Sequence, residues 1–285
     1  METLNLGKKN VVPNGLKQML IMTKYSFLDY IRSRRFFVLL IIAVIISLLL
    51  TGVIGYFKPH TFLSSVLSFY SSWWGMSASF IVVLSAVFFG GDAISGEFQN
   101  KTGYFLIGNP ISRSSVYAGK YIAAFIGSLI VLSVFTIITI SNGLYYFGAS
   151  GLPYQFVQSF LLSILYIASA LGLTFFFSSL FKSSTMSILT TVILLLFAFS
   201  LIQTLVATLA NIEPSFILTY GAQVISNVLS PTYPPAVSTS SAGPGNNFTL
   251  KTYNVGLYEG IIIMLVYFVV TFIAGLLVFE RKEFA

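Results

Sequence analysis

The chain has 285 residues, of which 56% are hydrophobic and only 8% are charged, whereas about a quarter are charged in a soluble globular domain. Soluble fold classes are excluded, because one soluble core of this length could not bury so much apolar surface and lipid must cover the rest. The net charge of +7 does not indicate a nucleic-acid partner, because the cations lie at the ends of apolar runs rather than among aromatic residues on one soluble face. The absence of cysteine excludes thiolate metal sites and cysteine nucleophiles.

The segment 15–35 precedes the first long apolar run and has the pattern of an amphipathic helix. Its apolar side carries Leu16, Met19, Leu20, Phe27, Tyr30 and Ile31, and its other side carries Lys17, Lys24, Arg32 and Arg35. This pattern predicts an N-terminal interfacial helix that lies along the membrane surface and contacts lipid. The alternative is a basic flank that only sets the orientation of the next helix.

Six apolar stretches are long enough to cross a bilayer core of about 30 Å as helices, which require roughly 20 residues each. The predicted spans are residues 36–57, 71–90, 121–147, 156–181, 187–209 and 260–279. The predicted fold class is therefore an all-α polytopic membrane protein with six transmembrane helices. At the start of the second span, Tyr70, Trp73 and Trp74 are expected to form an aromatic belt at the membrane interface.

The cations are concentrated at one end of these spans. Thirteen of the fifteen Lys and Arg residues lie on the N-terminal side of the membrane, which leaves Lys58 and Lys251 on the opposite side. Because cytoplasmic loops carry an excess of Lys and Arg, this bias predicts that both termini are cytoplasmic. We therefore expect a multi-pass protein of the cytoplasmic (plasma) membrane.

The largest predicted external region is residues 211–258, between the fifth and sixth spans. Residues 214–229 are apolar enough for a short helix that dips into the outer leaflet, whereas residues 230–249 are rich in Ser, Thr, Pro and Gly. The second part is therefore expected to be a flexible loop. Asn247 opens the sequon Asn247-Phe248-Thr249 and is a candidate glycosylation site.

The segment between the second and third spans, residues 92–113, is the most informative part of the chain. Asp92 and Glu97 place carboxylates on the cation-rich side, where a loop that only sets orientation would carry Lys or Arg. A helix is expected over residues 95–107, and Pro110 would end it. The exposed surface of that helix would carry Glu97, Gln99 and Lys101 beside Phe98, Tyr104 and Phe105. Such a mixed surface is suited to docking in a partner's cleft.

This segment resembles the first cytoplasmic loop of ABC-2-type transporter permeases. That loop usually contains Ser-Gly-Glu, a few polar residues, Gly-Thr, a Leu-rich turn and Pro-hydrophobic-Ser-Arg, and a later Lys opens the third span. The matching residues are Ser95, Gly96, Glu97, Thr102, Leu106, Pro110, Ile111, Ser112, Arg113 and Lys120. Two positions depart from the pattern, since Gln99 stands where the family often has an acidic residue and Lys101 replaces the Gly before Thr102. The resemblance implies a single ABC-2-type transmembrane domain over residues 1–285.

In that family the segment is a coupling helix that fits a groove on a separate ATPase subunit. The resemblance implies that the residues coupling this chain to an ATPase are Glu97, Phe98, Gln99, Lys101, Thr102, Leu106, Pro110, Ile111, Ser112 and Arg113. The alternative is that Glu97 and Arg113 form a local salt bridge in a loop that merely connects two spans.

The sequence contains no phosphate-binding loop, since Gly119-Lys120 is followed by Tyr121 and lacks the upstream Gly. We therefore expect a transport subunit rather than an enzyme, with no cofactor or metal of its own and with ATP and Mg bound by the partner ATPase. The leading hypothesis is the permease subunit of an ATP-binding cassette exporter, which works by alternating access and pairs with a second copy or a sister permease. The alternative hypothesis is an ATP-independent membrane scaffold or secondary carrier.

Overall fold

The computed structural model describes residues 14–59, 63–102, 111–148, 151–241 and 249–282. Within these residues, six helices are long and apolar enough to cross a membrane, which confirms the predicted all-α polytopic fold. The helical stretches that contain the spans are Arg34–Phe57, Val66–Gln99, Arg113–Phe147, Tyr154–Leu180, Ser184–Ala210 and Leu257–Arg281, and the spans are numbered below in this order. The second span itself ends at Gly90, and the rest of its stretch is a turn and the separate helix Ser95–Gln99. Helices form because only intrahelical hydrogen bonds satisfy the backbone of such long apolar runs in lipid.

Most of these helices extend beyond the predicted ends, because polar capping residues continue the helix after the apolar pattern stops. The third span begins at Arg113 rather than at Tyr121, since the side chain of Ser112 accepts a hydrogen bond from the backbone N–H of Ser115 at 3.3 Å. The sixth span begins at Leu257, where the Glu259 carboxylate accepts from the backbone N–H of Gly256 at 3.2 Å.

Two spans contain π-helical turns, which are rare and often mark functional positions. The second span is α-helical over Val66–Tyr70 and Met76–Gly90, with a π-helical turn at Ser71–Gly75 between them. The fifth span alternates α-helix over Ser184–Val192 and Phe199–Leu205 with π-helix over Ile193–Ala198 and Val206–Ala210. These two helices are therefore less regular than their apolar sequences suggest.

The fourth and sixth spans approach each other closely through small residues. A Cβ added at Gly172 would lie 2.6 Å from Thr271 Oγ1, and one added at Gly275 would lie 3.0 Å from Phe176 Cα. The hydroxyl of Ser169 also donates across this interface to the carbonyl of Met264 at 2.7 Å. Close backbone approach and interhelical hydrogen bonds are the main forces that hold helices together in lipid.

The aromatic residues at the start of the second span lie in the protein core, so the predicted interfacial belt is wrong. Tyr70, Trp73 and Trp74 are fully buried. The Tyr70 hydroxyl donates to the carbonyl of Gly151 at 2.6 Å, and the Trp74 indole donates to Ser159 Oγ at 3.0 Å. The polar atoms of Tyr70 and Trp74 find partners within the protein, so these two rings do not need the membrane interface.

The region between the fifth and sixth spans is helical in its first part, residues 214–229, where a short helix was predicted, and more ordered than predicted in its second part. Two short helices, Leu218–Ala222 and Val224–Asn227, pack against the fourth and sixth spans. They are followed by an antiparallel hairpin of strands β1 (Val237–Ser241) and β2 (Thr249–Tyr253), with Val237 opposite Tyr253. The predicted flexible loop is therefore wrong for residues 237–241, where Val and Thr favour extended backbone. Asn247 lies outside the described residues.

The N-terminal helix spans Gly15–Arg32 and packs along the third span. It ends three residues before the predicted limit because Ser33 is extended and its hydroxyl caps the first span by accepting from the N–H of Phe36. Its protein-facing side includes buried Gln18 and Ser26, whereas Leu16 and Leu20 are exposed. Met22, Tyr30 and Ile31 pack against the protein core, so only part of the apolar surface of this helix, including Leu16 and Leu20, is left exposed.

Candidate functional site

The segment between the second and third spans forms a short helix, Ser95–Gln99, followed by a turn over residues 100–102. The expected helix over residues 95–107 is thus wrong in its length within the described residues. Lys101 explains the early end, because its φ of 56° lies in the left-handed region that glycine adopts more readily. Lys101 stands where the permease motif has Gly, so the turn that this Gly would favour is present despite the substitution. Leu106 and Pro110 lie outside the described residues.

We call helix Ser95–Gln99 the turn helix. Its N-terminal end is bonded to the fourth span. The backbone N–H groups of Ile94 and Ser95 both donate to Ser178 Oγ at 3.0 Å. Both serines are fully buried. One hydroxyl thus satisfies two N–H groups at the start of a helix, where the backbone lacks partners of its own.

Glu97 is paired within the chain rather than displayed to water as expected. Its carboxylate forms an ion pair with the Lys120 ammonium, and it also accepts a hydrogen bond from the Thr102 hydroxyl. The Lys120 and Glu97 side chains are only 12% and 18% exposed. The salt bridge between Glu97 and Arg113 that we considered is replaced by this pair. Lys120 also donates to the carbonyl of Ala93 at 3.0 Å, which ties the third span to the turn.

The next two side chains of the turn helix reach the sixth and fifth spans. The ring of Phe98 lies edge-on to Phe279, with 6.3 Å between the centroids. Gln99 Oε1 accepts a hydrogen bond from the backbone N–H of Ser184 at 2.7 Å. The turn helix therefore contacts the third, fourth, fifth and sixth spans, although it has only five residues.

Arg113 and Lys282 connect the ends of the third, fourth and sixth spans. Arg113 donates to the carbonyls of Glu280 and Lys282 at 2.7 and 2.9 Å. The Lys282 ammonium donates to the carbonyls of Ser179, Leu180 and Phe181 and lies 4.3 Å from the centroid of the Phe98 ring. Burial, with a smaller contribution from nearby Lys182, lowers the pKa of Lys282 to about 8.

The N-terminal helix is bonded to the same end of the bundle. Gln18 Oε1 accepts from the N–H of Ser112 at 2.9 Å, and the Ser115 hydroxyl donates to the carbonyl of Gly15 at 3.0 Å. At Gly119, an added Cβ would lie 2.7 Å from Met22 Cβ, so only glycine permits this approach. The side chains of Arg35 and Asp92 form a second ion pair. We call this end of the bundle, marked by Arg35, Asp92, Glu97, Lys120 and Lys282, the charged end.

A comparison with known protein families identifies the family of this chain. A family model described as "ABC-2 family transporter protein" matches residues 20–284, which is nearly the whole chain. The chain belongs to the ABC-2 transporter family. It is therefore a multi-pass membrane protein and a permease of ABC-type transport in general, a transport subunit rather than an enzyme. A comparison with curated proteins found no match.

The charged end of this ABC-2 permease also contains a cavity of about 250 Å³ between the N-terminal helix and the turn helix. Its charged lining residues are Asp29, Arg35, Asp92, Glu97 and Lys120. Four of these five charges form the two ion pairs described above. Among the described residues, no group of three His, Cys, Asp or Glu side chains could hold a metal ion. The two ion pairs hold the helices that line this cavity against one another.

The structure of the ABC-2 permease adds residues that the sequence pattern did not select as site residues. Ser178 and Ser184 bond to the turn helix from more than 80 positions away, and Phe279 and Lys282 reach it from the end of the sixth span. Lys120 matched the family motif but was not assigned a contact. The pairing of Glu97 with a Lys about two turns inside the next span could have been anticipated from charge alone, whereas the serine contacts carry no local signal.

Proposed function

We propose that this ABC-2 permease is the membrane subunit of an ATP-binding cassette exporter and moves substrate outward by alternating access. A separate ATPase subunit binds ATP and Mg and docks on residues 92–113. The observation that carries the proposal is the position of helix Ser95–Gln99, which contacts four spans at once. A movement imposed on this helix would reach those spans as rigid bodies.

The two sides of the turn have different roles in this proposal. Glu97, Phe98 and Gln99 bind the permease itself and transmit the movement inward. Asn100, Lys101, Thr102 and Ser112 are exposed and form the docking surface among the described residues. Arg113 fixes the return into the third span. An exposed polar rim beside an aromatic residue is typical of a transient protein interface.

The proposal places the charged end in the cytoplasm and the protein in the cytoplasmic membrane. Lys and Arg are concentrated at this end, as the positive-inside rule requires of a cytoplasmic face. The N-terminal helix then lies at the inner membrane surface. Its exposed Leu16, Leu20 and Tyr25 contact lipid, and exposed Lys17 and Lys24 lie among the headgroups.

The fifth span supports a lateral partner, which is a second copy of the permease or a sister permease. Only 6% of its most apolar stretch is buried, against 61% for the fourth span. The exposed face includes Ser200 and Thr204, and small hydroxyl residues are enriched where membrane helices pack against each other, although the Thr204 hydroxyl already donates to the carbonyl of Ser200 at 2.9 Å. Six spans form half of a pathway in this proposal, and the second permease supplies the other half.

The test is purification of the tagged permease with its candidate ATPase. Lys101→Glu reverses an exposed charge on the docking surface and should abolish or strongly weaken the complex while the melting temperature of the permease stays unchanged. Lys251→Glu, an exposed charge reversal on strand β2 at the opposite end, should leave the complex intact. Normal assembly of the Lys101→Glu variant would count against docking at this turn.

The alternative, an ATP-independent membrane scaffold or secondary carrier, is separated by a second measurement. The phosphate-binding Lys of the ATPase is replaced, and transport by the assembled complex across the membrane of vesicles is measured. Loss of the activity is expected under our proposal, because the ATPase then cannot drive the turn helix. Activity that persists would favour the carrier.

A further inference from the structure

Lys282 binds the end of the fourth span in a way that an ordinary surface lysine does not. Its ammonium donates to the carbonyls of Ser179, Leu180 and Phe181 at 2.8, 3.2 and 2.9 Å. The last carbonyls of a helix have no intrahelical partner and carry partial negative charge, so a single cation there satisfies several acceptors. Lys282, which follows the sixth span, therefore caps the C-terminal end of the fourth span.

The same ammonium also lies against the turn helix. It is 4.3 Å from the centroid of the Phe98 ring, within the range of a cation–π interaction. Phe98 in turn packs edge-on against Phe279, which lies one turn earlier on the same helix as Lys282. The ring of Phe98 is thus held between the apolar and the cationic groups at the end of the sixth span.

The position of Lys282 is fixed from a third direction. Arg113, the first residue of the third span, donates to the carbonyls of Glu280 and Lys282. These bonds hold the backbone from which the Lys282 side chain extends. We call the group formed by Phe98, Arg113, Phe279, Lys282 and the carbonyls of residues 179–181 the Lys282 junction.

We infer that Lys282 is a positioning residue of the transport cycle, whose ammonium keeps the turn helix in line with the fourth and sixth spans so that a movement of the turn reaches both. This inference rests on the proposed function, because the movement is the one that the ATPase imposes. Without the ammonium, the turn helix keeps its contacts through Glu97 and Gln99 and its hydrogen bonds to Ser178. It loses the second link, which joins Phe98 to the last carbonyls of the fourth span through the Lys282 junction.

The charge of Lys282 makes the junction dependent on pH. The charged groups near it are Arg113 of the third span, Lys182 after the fourth span, Glu280 and Arg281 of its own helix, and Glu97 of the turn helix, which is paired with Lys120. Because burial lowers the pKa of Lys282 to about 8, the ammonium is charged below this pH and loses its proton as the pH rises through it. The cation–π contact and the charge-assisted bonds weaken in that direction.

The first experiment uses the permease alone in lipid nanodiscs and compares Lys282→Met with Arg281→Met. Methionine keeps the apolar stem and removes the charge, and Arg281 is an exposed neighbour that serves as the matched control. Amide hydrogen exchange of helix Ser95–Gln99 is expected to become about tenfold faster in Lys282→Met, since a charge-assisted contact is lost. No change is expected in Arg281→Met. Unchanged exchange in Lys282→Met would overturn the inference and leave the proposed function untouched.

The second experiment uses the full permease–ATPase complex and the absence of native cysteine. Fluorescent labels on the exposed positions Phe37→Cys and Leu277→Cys, which lie outside the docking surface and the Lys282 junction, report the distance between the start of the first span and the end of the sixth span. ATP should change this distance in the otherwise native complex, and the change should be lost in Lys282→Met. A change that persists in Lys282→Met would overturn the inference. No change in the native complex would overturn the proposed function and the role of Lys282 in the cycle together.

The conservative variant separates a positioning role from a purely structural one. In the native complex the ATP-induced change should diminish between about pH 7 and about pH 9, as the charged fraction of Lys282 falls from about nine-tenths to about one-tenth. Lys282→Arg stays charged throughout and should keep the change at the higher pH. Equal pH profiles for the native complex and Lys282→Arg would contradict the inference, even if Lys282→Met failed to fold.

Discussion

The two ends of the bundle are held together by different kinds of contact. At the charged end, ion pairs join Arg35 to Asp92 and Glu97 to Lys120. At the opposite end, which we call the hairpin end because it carries strands β1 and β2, hydrogen bonds of neutral groups dominate. The Trp74 indole donates to Ser159, and Ser159 donates to the carbonyl of Ile225.

This difference predicts which end responds to its surroundings. Partly exposed ion pairs weaken with salt and can be exchanged for pairs with a partner protein. Neutral hydrogen bonds between fully buried groups are insensitive to salt and costly to break. We therefore expect the charged end to rearrange during transport, while the hairpin end keeps its helices in fixed relation.

The largest expected effect tests the hairpin end with Trp74→Ala. The ring is fully buried, stacks on Phe135 at 5.6 Å between centroids and lies edge-on to Phe156 at 5.0 Å. Its removal should lower the free energy of unfolding by about 3–5 kcal/mol, because a large side chain is lost from a packed core. Unfolding in detergent at low and high salt should give the same loss. Trp74→Phe, which keeps a ring but not the indole N–H, should cost less, and a salt-dependent loss would break the comparison.

A smaller effect is expected at the charged end from Glu97→Gln. The variant keeps the shape of the side chain but leaves the largely buried Lys120 ammonium without its counter-charge. We expect a loss of about 1–3 kcal/mol in the free energy of unfolding, and the loss should shrink only slightly with added salt because the native ion pair is largely buried. Asp29→Asn is the matched control, since Asp29 lines the same cavity but is exposed. Equal losses for the two variants would show that the ion pair of Glu97 contributes no more to stability than an exposed carboxylate in the same cavity.

The sequence predicted the six spans because apolar length is a local property that one stretch of chain displays by itself. It also predicted the position of the turn, since carboxylates among cations are unusual there. The partners of the turn could not be predicted, because Ser178 reaches Ile94 across 84 positions and such pairing leaves no periodic pattern. The buried aromatic cluster was misassigned for a related reason, since Tyr70 and Trp74 resemble interfacial residues until their distant acceptors are known.

The smallest expected effect concerns Lys101, whose backbone the charged end holds in a left-handed conformation at φ 56°. For an L-residue this conformation costs about 1–2 kcal/mol, and Lys101→Gly removes that cost. Glycine loses more backbone entropy on folding, which offsets about 0.5–1 kcal/mol of the gain. The turn should therefore be stabilised by up to about 1 kcal/mol, measured as slower amide exchange over residues 95–102. Lys101→Ala removes the same side chain without relieving the backbone and should not slow exchange. If alanine stabilised the turn as much as glycine, the side chain rather than the backbone would be the source of strain, and the turn would owe its shape to charge like the rest of that end.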